Sequence, residues 1–487
     1  MNTIQRIAKN TGVLLVSQVI SYLLGFLYIM YAARYLKAEG FGILSFAFAL
    51  TGILSVFTDL GLRPLTIREV ARNKSLASKY LANISVMKVI LATITFGLIT
   101  LIVNLMGSSE KTIRVVYIVA LSAILTAFTR MFYSIFQAFE KMGYQSLGQI
   151  LSGALMLLGA IFAIRVRLDV ISFAGTYFMA CTVVLGYSLI VFKWKFSKIV
   201  FTSVSRVFEM DWGFWKPTIK EAMPFFLAAA FSEAAFRIDM VILSMIKGDI
   251  VVGWYSAAYR ILEASMLIPA AFVTSMYPLL SNYYVSSQAS LRLAYQKSFK
   301  YLSILGMPIA VGTTILGDRI ILLIYHSDFI CSIIALKIVI WTAPIIFLTY
   351  MFGTVLASIN QQRLILKILL LCLLLNVVMN MVLIPRYSYV GASIATVGTE
   401  LLSFILCYHF LSKLVYKIPI FKFIVRPAVA SIIMGFFVFV AKINFFLLVC
   451  LASFIYFSVL IFLKTFSMEE FNLFKQIFVT KQARVKE

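Results

Sequence analysis

The chain has 487 residues, 62% of them hydrophobic and only 13% charged. Soluble domains run at roughly 45–50% apolar and about 25% charged, so an ordinary cytosolic globular protein is excluded. The charge is lopsided, 43 Lys and Arg against 19 Asp and Glu for a formal net of +24; nucleic acid is the first partner this suggests, but the apolar content argues for basic loops facing the cytoplasm instead.

Arg6 and Lys9 precede an apolar stretch from Val13 to Ala33. It is too long for the core of a cleaved signal and is expected to be the first transmembrane helix. Fourteen such runs follow one another, at 11–33, 41–61, 82–106, 113–136, 147–166, 170–192, 218–246, 254–281, 301–325, 333–357, 366–385, 391–412, 427–443 and 445–464. A count of twelve arises only if the fifth and sixth, or the last two, are re-entrant pairs, since very short polar hinges join them.

With the N-terminus inside, the inner segments hold 28 Lys and Arg and the outer segments 9, with six inside the spans. This bias predicts that both termini are cytoplasmic and that most of the positive charge meets anionic head groups. The longest connector mixes Trp194, Phe196, Phe208, Trp212, Phe214 and Trp215 with basic residues, and the tail alternates phenylalanines with charges. Both are expected to lie on the inner membrane surface.

The connector divides the spans. The expected organisation is a six-helix bundle at 1–192, an interfacial connector at 193–217, a second six-helix bundle at 218–412, two additional transmembrane helices at 413–465 and a cytoplasmic tail at 466–487. The second span opens Gly42-Ile43-Leu44-Ser45 and the eighth Gly253-Trp254-Tyr255-Ser256, each after a short loop with an acid and a Lys. Six spans between equivalent points make the bundles parallel repeats, the plan of a secondary transporter that binds cargo between bundles and rocks.

Five cysteines without C-x-x-C spacing read as free thiols, and two distant histidines argue against a zinc or haem site. No Walker loop, G-x-S-x-G or H-E-x-x-H is present, so the chain is not expected to be an enzyme.

A charge at the centre of a span costs about 2.5–3.5 kcal/mol even on lenient scales, so intramembrane ions are the informative residues. Glu233, Arg237 and Asp239 fall in the seventh span, and Arg260 and Glu263 in the eighth. Glu233 and Arg237 are i,i+4 and Arg260 and Glu263 i,i+3, so each pair shares a helix face, whereas Asp239 points away from the stripe of Arg237. The plain reading is two intrahelical salt bridges. The functional one has both arginines bind an anion while a carboxylate competes for them or carries a proton or sodium ion. The second is preferred, because pairs kept for packing alone are replaceable by apolar residues at little cost.

Further anion-contact candidates are Arg130, near one end of the fourth span, and Arg319, beside Asp318. Both also fit plainer roles, snorkelling for Arg130 and local pairing for Arg319. Asp59, at the end of the second span, and Glu400, alone in the twelfth, are further ion-coupling candidates. Lys88 and Lys337 read as snorkelling cations.

The run Ala33-Arg34-Tyr35-Leu36, Gly40-Phe41-Gly42, Asp59-Leu60-Gly61-Leu62 and Ile67-Arg68-Glu69 resembles the first hairpin of the polysaccharide transporters, the Wzx-type repeat-unit flippases. Arg237-Ile238-Asp239, Val252 through Arg260, Met276 through Ser281 and Val390 through Thr396 resemble later segments of that family. The resemblance covers essentially the whole chain. It implies the all-helical fold of the MOP exporter superfamily, shared with the lipid II flippases and the MATE exporters. It also implies a cargo of oligosaccharide on a polyprenyl diphosphate, moved from the cytoplasmic to the outer leaflet for surface polysaccharide or O-antigen synthesis. Coupling would be to an H+ or Na+ gradient with no cofactor, in the cell membrane, with a polymerase and chain-length machinery as further partners. A lipid II flippase and a MATE-type drug exporter are the alternatives; exporters of cationic drugs favour an acidic cavity, which the arginines oppose.

Overall fold

The computed structural model describes residues 3–197, 211–441, 443–466 and 470. The middle of the expected connector and nearly all of the expected tail lie outside the described residues. What is described is almost wholly helical, with no strand among the described residues. The reason is the solvent. In hydrocarbon every backbone N–H and C=O must be paired within the segment, and a helix does this alone.

The helices are α1 (Thr3–Asp59), α2 (Leu62–Arg72), α3 (Ala77–Leu105), α4 (Glu110–Ala138), α5 (Met142–Val166), α6 (Val170–Val191), α7 (Trp212–Lys247), α8 (Asp249–Ser265), α9 (Leu267–Ser286), α10 (Gln288–Tyr325), α11 (Ser332–Val339), α12 (Thr342–Ser358), α13 (Gln362–Leu414), α14 (Ile420–Val440) and α15 (Phe445–Phe462). Several starts are capped by side chains from the sequence. Ser109 accepts from Thr112 N, Asp169 from Ser172 N and Asp211 from Phe214 N.

Among the described residues ten helices are long and apolar enough to cross a membrane, eleven with the bent pair α11–α12. Two of the ten are interrupted by a single positive-φ residue, Lys37 in α1 and Ser388 in α13, and each piece on either side is of spanning length. Helix α7 is 36 residues long but is not among the ten, because every stretch of eighteen within it holds at least three charged side chains. Dividing the interrupted helices and adding α7 recovers the fourteen runs read from the sequence.

The chain forms two compact units. The first comprises residues 1–267, 321–335 and 362–399, the second 268–320, 336–361 and 400–487. In the first, α1 and α8 cross with their backbones touching at Gly42 and Gly253. A Cβ on Gly42 would lie 1.8 Å from Asp249 O, and one on Gly253 2.0 Å from Ala38 O. The contact is reciprocal: each glycine meets the carbonyl four residues before the other. Only glycine permits this approach. At the far end of α1, an aromatic core including Phe132, Phe136, Phe192 and Phe196 packs under α2. The second unit has its own core, where Tyr456 of α15 donates to Ile304 O of α10 at 2.7 Å amid Leu448, Ala452 and Met434. All five cysteines are unbridged.

Candidate functional site

A cavity of about 530 Å³ opens within the first unit, lined from α1, α2, α4, α5, α6, α7 and α8. Residues 41–59 of α1 supply its spine. Phe41, Leu44, Ser45, Phe48, Thr51, Gly52, Ser55, Val56 and Asp59 recur three and four apart, one continuous helix face. The face mixes apolar and hydroxyl groups.

Among the described residues four arginines reach this cavity, Arg63, Arg130, Arg237 and Arg260, against two carboxylates, Asp59 and Glu233. Arg237 lies against Gly52, where an added Cβ would sit 3.0 Å from the arginine Cδ and Nε, so the missing side chain makes room for the guanidinium. Arg237 Nε donates to Glu233 Oε2 at 2.9 Å, and Arg260 Nη1 to Glu263 Oε2 at 2.6 Å. Both helical pairs foreseen from spacing are thus formed. Arg260 Nε–H is buried without a partner.

The Asp59 end differs. Lys88 Nζ donates to Asp59 Oδ1 at 2.6 Å, and Arg63 N to Asp59 Oδ2 at 3.3 Å. The Lys88 side chain is only 2% exposed, so it does not snorkel as the sequence reading has it; it is sealed behind the cavity wall and neutralises the carboxylate there. Among the described residues Arg63 and Arg130 make no salt bridge and no side-chain hydrogen bond. Both line the cavity together with Asp59.

The other candidates lie elsewhere. Asp239 is buried outside the cavity, where it accepts from Tyr255 OH and from Met240 N, and the Tyr255 hydroxyl lies 3.0 Å from Thr396 Oγ1. Glu263 reaches the site only through Arg260. Arg319 belongs to the second unit, with Nη1 3.4 Å from Ile443 O, while its neighbour Asp318 takes Lys337 at 3.0 Å. Glu400 is half-buried and has no hydrogen-bond or ion-pair partner among the described residues. Arg63 and Lys88 were the residues missed by sequence reasoning, Arg63 because it counts as an inner-loop cation. The signal for it was Asp59-Leu60-Gly61-Leu62-Arg63-Pro64: Gly61, at φ 72°, turns the chain out of α1 against Ala222 O and swings Arg63 back over the cavity.

The geometry has counterparts. The sequence profile described as "Polysaccharide biosynthesis protein" matches residues 7–284, more than half of the chain. The chain belongs to the polysaccharide biosynthesis protein family. A second profile, MatE, matches residues 224–382. Relatives of this family member include a protein of Haloferax volcanii named as a probable low-salt glycan biosynthesis flippase, 22% identical over 84% of each chain. A putative O-antigen transporter of Escherichia coli is 23% identical over 81% of this chain and 94% of its own. Among solved structures, the lipid II flippase MurJ in an inward closed conformation superposes with a TM-score of 0.75 at 16% identity, covering 92% of this chain and 98% of that one. An inward-facing MATE transporter of the MOP superfamily gives 0.67 at 16% identity, over 81% and 95%. These place this multi-pass membrane protein in the MOP fold.

Proposed function

We propose that this family member is a flippase. It carries an oligosaccharide on a polyprenyl diphosphate from the cytoplasmic to the outer leaflet of the cell membrane, for surface polysaccharide assembly. It is a transporter, not an enzyme. The carrying observation is the cavity itself, where four arginines face two carboxylates, one of them already neutralised by Lys88. Guanidinium forks match phosphate oxygens in pairs and stay charged at any working pH. A cavity for cationic drugs would need the opposite sign. The names of the relatives support the same cargo.

In this reading both termini are cytoplasmic, so the Asp59 end of α1 faces the cytoplasm and the Gly42 end the outer side. The two bundles, 1–192 and 218–412, rock about the cavity, with 413–465 added and 193–217 and 466–487 at the inner surface. The reciprocal contact of Gly42 and Gly253 supports the parallel-repeat plan, since equivalent points of two repeats meet on an axis between them. Transport is driven by a proton or sodium gradient. Among the coupling candidates Glu233 and Asp59 touch the cavity, whereas Asp239, Glu263 and Glu400 act from outside it. Arg319 is a further anion contact within the second unit. A polymerase and chain-length machinery take over the delivered unit.

Deleting the gene tests this. Surface polysaccharide is expected to fall while lipid-linked units accumulate on the cytoplasmic side. Normal polysaccharide with altered dye resistance overturns the proposal in favour of drug export. In the restored strain, Arg237→Ala and Arg260→Ala are each expected to insert normally and lose transport, with Lys restoring part of it; full activity in both leaves only salt bridges.

A further inference from the structure

The four arginines of the cavity differ in what already holds them. Arg237 and Arg260 are engaged by Glu233 and Glu263. Arg63 and Arg130 have no acidic partner among the described residues, and the nearest carboxylate, Asp59, is taken by Lys88 and by the backbone N–H of Arg63. Arg237 and Arg63 also sit at different heights. Arg237 touches α1 at Gly52, whereas Arg63 follows Asp59, which is seven residues, about 10 Å, further along that helix.

We infer that the cavity holds two successive stations for the diphosphate, a receiving station at Arg63 and Arg130 and a second at Arg237 and Arg260 from which Glu233 and Glu263 must withdraw. The inference rests on the proposed cargo and says where that cargo first binds. An anion entering from the Asp59 end meets two unengaged guanidinium groups. At the second station it has to displace a carboxylate from each arginine, Glu233 from Arg237 Nε and Glu263 from Arg260 Nη1, while the buried Nε–H of Arg260 has no partner among the described residues. That exchange preserves the arginines' charge-assisted hydrogen bonds, so it costs little once the anion is adjacent. An anion is nevertheless disfavoured there while both carboxylates remain in place. Glu233, 43% exposed, has room to swing aside; Glu263, 20% exposed, has less. Lys88 is a positioning residue. Without it Asp59 would be an uncovered carboxylate next to Arg63 and would compete with the diphosphate for that guanidinium.

Binding of farnesyl diphosphate to the purified full-length protein in nanodiscs, with farnesol as control, tests this. Losing charge-assisted contacts worth about 1.5–3 kcal/mol weakens binding about tenfold or more. That loss is expected for Arg63→Gln combined with Arg130→Gln. Arg237→Gln combined with Arg260→Gln should change affinity by less than about threefold while transport in cells is lost. Glu233→Gln combined with Glu263→Gln should tighten binding, because it frees the second station. Lys88→Gln should weaken binding with all four arginines intact, and adding Asp59→Asn should restore it, a rescue that simple misfolding would not give. The two-station order is overturned if the Arg237 and Arg260 variant loses binding and the Arg63 and Arg130 variant keeps it. It is also overturned if Lys88→Gln binds as the wild type does. No preference of the wild type for farnesyl diphosphate over farnesol would sink the cargo assignment itself.

Discussion

The two ends of the α1 segment that lines the cavity are closed by different mixtures of contacts. At the Gly42 end the tightest contact is backbone on backbone at Gly42 and Gly253, flanked by Thr112 and Ser244, which each donate to Asp249 at 2.9 Å, and by Phe41 against Phe329. At the Asp59 end the chain also comes close at Gly61 against Ala222 O and Tyr80 packs on Phe214, but here α2 and α3 are tied to the start of α7 by several polar pairs as well. Arg68 pairs with Glu221, Lys79 with Asp211 at 2.8 Å, and Asn83 accepts from Trp215 Nε1 at 2.9 Å. Water can replace each of those polar contacts, whereas nothing replaces a close-packed backbone crossing except separation of the helices. The difference suits a transporter whose Asp59 end exchanges contacts with solvent and whose Gly42 end works as an all-or-none joint.

The strongest way to break this comparison is Lys88→Ala. It leaves Asp59 without its buried partner at the supposedly soft end. Removing one member of a buried ion pair costs about 3–5 kcal/mol, and the low end applies because Asp59 is 29% exposed towards the cavity. A clear fall of the thermal midpoint in detergent, recovered by adding Asp59→Asn, is expected; an unchanged midpoint means the pair is not formed. Next come Gly42→Ala and Gly253→Ala, where an added methyl meets a carbonyl at 2.0 Å or less. Overpacking costs about 1–3 kcal/mol, and the double variant should cost less than the sum, since one separation relieves both clashes. Full additivity would show that the two glycines do not share a joint.

Smaller effects belong to the polar end. Asn83→Ala removes the acceptor of Trp215, a hydrogen bond worth about 0.5–1.5 kcal/mol, and quenching of tryptophan fluorescence by iodide should rise. Smallest is the Lys79–Asp211 pair. The hydrogen bond from Lys79 holds the Asp211 carboxyl below its usual value. Its contribution is therefore present above the ordinary aspartate pKa and is lost only as pH falls through the depressed folded one. Between neutral and mildly acidic pH, the small loss of stability caused by Lys79→Ala should therefore not vary with pH. A strong dependence on pH in that range would mean that the polar end is held by some other titrating group.

Much of the site was legible because it is local. Glu233 and Arg237, or Arg260 and Glu263, meet through helical periodicity, and any helix over those residues brings them together. The eccentric direction of Asp239 follows from the same geometry, and the structure finds it buried against Tyr255, away from the cavity. Lys88 and Asp59 were read singly, as a snorkelling cation and a helix-end acid, because 29 residues separate them. Nothing in periodicity pairs side chains on different helices.

The sequence by itself determined the solvent, the helical class and the number of apolar runs, since these depend on composition along the chain and on the demand that each span pair its own backbone. It also determined which charges were too costly to be incidental. Only the tertiary structure decided which of those charges are already neutralised. Arg63 looked like one more loop cation until the turn at Gly61 carried it over the cavity, and its lack of an acidic partner among the described residues depends on a lysine from another helix occupying Asp59. Whether a charge is available to a ligand depends on everything within a few ångströms of it, and packing between distant segments sets that neighbourhood.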